Sequence, residues 1–256
     1  MMRDSLVCYY TIARREATRI FRIWVQTLFP PMITMTLYFI VFGTFIGSQL
    51  REINGFSYMA FIAPGLIMMS IITNSYTNTV SSFFSTKFQK NIEELLVSPT
   101  PNWVIVLGFV SGGVIRGLSV GFLVSLVSLF FVRLPLHSLV HTVLFAFLTS
   151  FVFALAGMIN GIFARKFDDV SIIPTFVITP LTYLGGVFYS ISLLPDFWRM
   201  VSKANPIIYM IDGFRYGFLG VSDMSVYVGL GMLVLFAAVL FTVNLYLLDK
   251  GTGIRS

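Results

Sequence analysis

The chain has 256 residues, of which 57% are hydrophobic and 11% charged, with a formal charge of +6 and a mean hydropathy of +0.87. A soluble domain carries about twice that charge fraction, so water is excluded as the solvent for most of the surface. Six apolar stretches over 23–50, 56–84, 104–132, 138–163, 170–195 and 224–248 use up most of the length and leave no room for a soluble catalytic domain.

Residues 5–24 precede the first stretch and read as an amphipathic helix. Leu6, Tyr10, Ala13, Ala17, Ile20 and Trp24 recur at helical spacing on one face, with Arg15, Arg19 and Arg22 opposite. Such a helix is expected along the inner membrane surface, arginines toward phosphates and water. It is either an anchor or a docking surface for a cytoplasmic partner. The lone cysteine there, Cys8, rules out an internal disulfide. The start lacks a short apolar core followed by a small-residue cleavage site, so no removable signal peptide is expected.

Each apolar stretch can cross a hydrocarbon core of about 30 Å, which takes roughly 20 helical residues. The fold expected is an all-α integral membrane protein with six transmembrane helices. Pro30-Pro31 should open span one, where a missing N–H is tolerated. Span two is the least apolar. Ser70, Asn74, Thr77, Asn78, Ser81 and Ser85 share one arc, which reads as helix–helix glue or as the lining of a pathway, with Asn74, Asn78 and Ser81 the candidates.

The loop after span two starts with helix formers at Lys87–Leu96 and stops at Ser98-Pro99-Thr100-Pro101. Phe88, Ile92, Leu95 and Leu96 share a face. Exposed Leu95 and Leu96 in a short inner loop point to a binding partner. Span three carries Arg116, which can snorkel to the inner interface or face a pathway. His137 and His141 have a metal-compatible spacing, but no carboxylate or cysteine accompanies them, so no metal site is predicted. Gly157-Met158-Ile159-Asn160-Gly161 is a small-residue packing stretch. Asp168 and Asp169 can cap span five, and Pro174, Pro180 and Gly185-Gly186 make that span a kinked, packed helix.

The charge is distributed by side. Eleven of the 17 basic residues precede span one or follow spans two, four and six; five lie opposite, and Arg116 is within a span. That bias predicts cytoplasmic termini. It offers no continuous basic face for nucleic acid.

The chain has no Gly-Lys pair, hence no phosphate-cradling loop, and neither HExxH nor CxxC. Midplane ionisable groups and an inverted repeat, expected of a secondary transporter, are not evident. The sequence specifies a membrane conduit without a visible engine. An ion-coupled transporter is the alternative, and an integral membrane enzyme acting on lipid a third.

Residues 178–215 resemble the signature of the ABC type-2 permease family. The residues that carry this are Ile178, Leu181, Leu184-Gly185, Val187, Leu194-Pro195, Pro206-Ile207, Tyr209 and Arg215, with the run Thr179–Ser190 and Asn205-Pro206. The resemblance covers almost the whole chain, 1–256, as a single transmembrane domain. It implies a homodimeric export permease of the bacterial inner membrane, docking two copies of a cytoplasmic ATPase. ATP and magnesium would be bound by that partner, and no cofactor by this chain. It places a coupling helix in 87–101, at Gln89, Asn91, Ile92, Glu93, Glu94, Leu95 and Leu96. It brings the 5–24 helix against the ATPase and makes 196–223 a short re-entrant outer helical segment. There Asn205, Pro206 and Tyr209 would shape an outer gate. Arg215 would pair with Asp212 or a lipid phosphate, or serve as an interfacial anchor. Implied cargoes are lipid, polysaccharide or a hydrophobic drug.

Overall fold

A computed structural model describes residues 2–49, 52–53 and 55–253. Arg51 and Arg255, both used in the charge bias, lie outside them. The described residues are helical apart from turns and one isolated bridge between Ile53 and Phe56. In order, the α-helices are α1 (Met2–Arg22), α2 (Trp24–Tyr38), α3 (Tyr58–Phe88), α4 (Asn91–Val97), α5 (Asn102–Ser128), α6 (Leu139–Phe163), α7 (Phe167–Ile173), α8 (Thr179–Tyr183), α9 (Asp196–Lys203), α10 (Pro206–Leu219) and α11 (Val226–Lys250).

Among the described residues five helices are long and apolar enough to cross a membrane: α2 with its wide-turned extension to Ile46, α3, α5, α6 and α11. The expected fifth span is not among them. Residues 167–183 form α7, a wide π-type turn over Pro174–Ile178, and α8, and the helix then stops. Seventeen residues rise only about 25 Å. Gly186, at φ +76°, turns the chain where other residues are strained.

The α3 helix is the axis of the bundle. Its most apolar window is 89% buried, against 17% for α2 and 11% for α11. The helix is buried on nearly every side, polar positions included, because α5, α6 and α10 pack around it. Small residues permit the approach. A Cβ on Gly157 of α6 would lie 2.5 Å from the Tyr76 carbonyl oxygen, and one on Gly117 of α5 would lie 1.8 Å from Ser75 Oγ. Ser75 and Ser150 are hydrogen-bonded at 2.8 Å across the same seam. The small-residue stretch in span four is therefore packing, as expected.

Two sequence expectations about the N-terminal part change. The break between α1 and α2 falls at Ile23, and Pro30-Pro31 lie inside α2 rather than at its start. The break is held by buried Thr27, whose hydroxyl donates to the carbonyls of Ile20 and Ile23 at 3.3 and 3.1 Å. Nor does α1 stand apart from the bundle. Ile12 sits over Gly108 and Glu16 over Gly112, so matched four-residue steps run α1 alongside the Asn102 half of α5; inner denotes that end of the bundle, which carries the α3–α4 loop, and outer the end that carries α10. Of the expected apolar face, Ile20 is buried, while Leu6, Tyr10 and Trp24 are exposed.

Gly157→Val should destabilise the bundle by about 1–3 kcal/mol, because backbone rather than a flexible side chain blocks the new atoms. Thermal unfolding of the purified protein in detergent should show a lower midpoint for Gly157→Val than for Gly231→Val, whose site is open.

Candidate functional site

Three places concentrate polar chemistry: the seam between α1 and the inner end of α3, the α3–α4 loop, and the outer ring around α10.

At the inner seam, Glu16 is 1% exposed although it sits among arginines. Its Oε2 accepts from Arg19 Nη2 at 2.9 Å and from Ser82 Oγ at 2.6 Å, and its Oε1 from Arg15 at 3.3 Å. Arg19 also donates to Asn78 Oδ1 at 3.0 Å. A buried carboxylate persists only when paired and hydrogen-bonded, and here three side chains from two helices, Arg15 and Arg19 of α1 and Ser82 of α3, provide that. The pathway candidates therefore separate. Asn78 is buried against Arg19, Asn74 is buried and donates to the Ser70 carbonyl at 3.0 Å, and Ser81 is exposed. Arg116 is half-buried about 21 Å from the inner end of α5, with its Nε buried and unpartnered. Arg22 is exposed, and Arg15 stacks over Phe109 at 5.3 Å.

In the α3–α4 loop, Lys90 adopts a left-handed backbone, φ 62°, which reverses the chain into α4. Ile92 is 1% exposed and pins α4 to the inner core of Val104, Ile105 and Phe109. Leu95 and Leu96, expected to be exposed, are instead packed against that core. The exposed apolar side chains are Phe88 and Val97, the latter at 88%. Gln89, Asn91, Glu93 and Glu94 are exposed beside them. Lys87 turns the other way. Its Nζ donates to the carbonyls of Ile162 and Ala164 at 2.6 and 2.9 Å, tying the loop to the end of α6.

At the outer ring, Asn205 caps α10. Its Oδ1 accepts from Ile207 N at 3.0 Å and its Nδ2 donates to the Leu181 carbonyl at 2.6 Å, joining α10 to α8. Pro206 occupies the first turn of α10, and Tyr209 donates to the Lys203 carbonyl. Arg215 is 3% exposed, so it is not a surface anchor. It donates to the carbonyls of Gly186 at 2.6 Å and Phe61 at 3.3 Å, lies 3.9 Å above the Phe61 ring, and pairs with Asp212 at 3.7 Å. Asp212 also accepts from Ser222 Oγ and from the backbone N–H groups of Asp223 and Met224. Burial pushes the Asp212 carboxyl above its ordinary range, while Arg215 and these donors oppose that shift. Asp223 in turn accepts from Ser190 at 2.5 Å. His137 and His141 both rest edge-on against Tyr216.

Residues 8–219 match the ABC-2 type transporter family. The chain belongs to that family. It is 57% identical over all 256 residues, the full length of both chains, to the inner membrane transport permease YadH of Escherichia coli K12. Nodulation protein J of Rhizobium leguminosarum bv. viciae is 25% identical over 84% of this chain and 83% of its own length, and that of Rhizobium meliloti 26% over 84% and 82%. This ABC-2 protein is thus a multi-pass transport permease of a bacterial inner membrane. Its family is that of membrane subunits, in keeping with the missing phosphate loop.

Sequence reasoning missed Glu16 and Ser82. A signal existed: Glu16 is an acid placed among Arg14, Arg15, Arg19 and Arg22, above two glycines four residues apart. Phe61 and Gly186 were also missed as partners of Arg215, because contacts through a ring face and a carbonyl leave no pattern.

Arg215→Ala should cost about 3–5 kcal/mol, since it leaves Asp212 buried and uncompensated. The double variant Asp212→Asn/Arg215→Met should recover part of that loss in the same thermal unfolding measurement. Asn78→Leu removes an acceptor from Arg19 and should cost about 1–3 kcal/mol. Limited proteolysis should then cut α1 faster than in the parent.

Proposed function

We propose that this permease is the membrane subunit of an ATP-driven exporter. Two copies form a shared pathway, and each holds one copy of a separate ATPase on its inner side. ATP and magnesium belong to that ATPase. The observation that carries the reading is α4: a short helix pinned by Ile92, presenting Glu93, Glu94 and Val97, in a chain without a nucleotide site. An exposed apolar residue rimmed by charge is what a docking helix needs.

Motion of the ATPase would reach the membrane through two joints. Ile92 passes it to the inner core of α5, and Lys87 passes it to the end of α6. A few kcal/mol of differential contact suffices to bias a two-state dimer. The poorly buried α2 and α11 are the helices with surface left for a second copy or for lipid. On α3, Ser81 continues a line of partly exposed Thr73, Thr77 and Ser85, which supports a pathway along that edge. Asn74 and Asn78 would shape it from behind. Asn205, Pro206, Tyr209 and the Arg215 tie would set how the outer end opens. The termini face the cytoplasm in this reading, and the cargo is a lipid, a polysaccharide or a hydrophobic drug.

Purification of the tagged chain in mild detergent should bring down an ABC ATPase at one copy per permease copy. Reversing the charges at Glu93 and Glu94 to lysine should weaken that association several-fold, read by titration of the ATPase on immobilised permease. Unchanged association together with unchanged transport would reject the coupling role. Transport by the permease alone in vesicles, driven by a proton gradient, would favour the ion-coupled alternative.

A further inference from the structure

The four arginines in the second half of α1, Arg14, Arg15, Arg19 and Arg22, are arranged unevenly. Glu16 is engaged by Arg15 and Arg19, while Arg14 and Arg22 are exposed with no ion-pair partner among the described residues. These four line one concavity with Tyr10 and Thr18, of about 630 Å³. That volume is within the range of small-molecule sites. Four guanidinium groups against one sequestered carboxylate leave the concavity strongly cationic. Arg19 contributes an Nε that is buried and unpartnered.

The concavity ends at Ile23, where α2 begins. From there an exposed apolar ribbon climbs α2 at four-residue steps: Val25 54%, Phe29 46%, Ile33 56%, Leu37 56% and Val41 41%. The ribbon finishes in a shallow apolar hollow lined by Leu37, Tyr38, Val41 and Phe42. A cationic seat at the inner end and an unbroken apolar track at hydrocarbon depth together match one kind of molecule. A soluble protein partner would match the first and not the second.

We infer that this surface is the entry site for an anionic amphiphile of the inner leaflet. Its phosphate- or carboxylate-bearing head docks on Arg14, Arg15, Arg19 and Arg22, and its chain lies along α2 from Val25 to Val41. The inference rests on the exporter reading above, and it narrows the cargo to lipid-like anions. Guanidinium groups hold such heads by paired charged hydrogen bonds. Each basic residue near a membrane surface contributes about 1 kcal/mol toward anionic lipid, roughly a fivefold change in affinity.

Trp24 stands at the junction and can report occupancy. The test uses the full permease in phosphatidylcholine nanodiscs, with Trp103 and Trp198 replaced by Phe and brominated phosphatidylglycerol titrated in. Quenching of Trp24 should saturate at low mole fraction, whereas brominated phosphatidylcholine should quench only in proportion to its amount. Arg14→Gln/Arg22→Gln should weaken the anionic binding on the order of 25-fold. Equal quenching by the two lipids, or no effect of the double variant, would overturn the site. Displacement by glycerol phosphate at similar concentrations would overturn the need for a chain.

A second measurement separates cargo from a resident lipid. With the partner ATPase bound, ATP should lower Trp24 quenching and move fluorescent short-chain phosphatidylglycerol across proteoliposomes, and the double variant should do neither while retaining the ATPase. Quenching unmoved by ATP in a complex that hydrolyses it would identify a resident lipid and overturn the entry assignment. Failure of any ATPase to associate would instead count against the exporter reading, leaving the anion-selective quenching intact.

Discussion

A charge hidden from water has to bring its own partners, and two such charges hold the ends of this bundle. Glu16 at the inner end and Arg215 at the outer are both almost fully buried. Each gathers groups that are far apart in the chain. Glu16 draws α1 onto α3 through Ser82 and Arg19, while Arg215 draws α10 onto the start of α3 and the turn after α8. Between them α3 runs as a helix with hardly any free surface. Removing one member leaves the other stranded, so each tie is all-or-none.

The interior between those ties is built differently. It uses glycine, serine and alanine to bring α5 and α6 within backbone contact of α3. Apolar burial gives little drive between helices already in lipid, so close packing and interhelical hydrogen bonds do most of the holding. A core of that kind moves as a block.

Much of this architecture was legible in the residue order. Hydropathy runs marked the long helices to within a few residues, since a hydrocarbon solvent imposes length and apolarity together. The α4 segment showed through its helix formers and proline stop. For Arg215 the sequence left Asp212, a lipid phosphate and an interfacial anchor open, and burial decides for Asp212. What periodicity could not convey was depth. Glu16 reads as a polar-face residue on a helical wheel, yet its face is the one that docks. Leu95 and Leu96 read as exposed because the loop is short, yet α4 folds back on the inner core. The fifth stretch looked long enough to cross because residues 184–195 stay apolar after the helix has ended at Tyr183. Composition reports which solvent a segment prefers, and only backbone geometry reports how far it travels.

That early stop has a consequence for the surrounding lipid. Residues 167–183 present Ile172, Phe176 and Val177 outward over a rise several ångströms less than the hydrocarbon thickness. Acyl chains beside them must shorten or tilt to match, so the sheet of lipid is pinched next to this helix. Phe197, Trp198 and Met200 of α9 are exposed as well. Accommodating such a mismatch costs only fractions of a kcal/mol per ångström, yet it sets which bilayer thickness suits the protein.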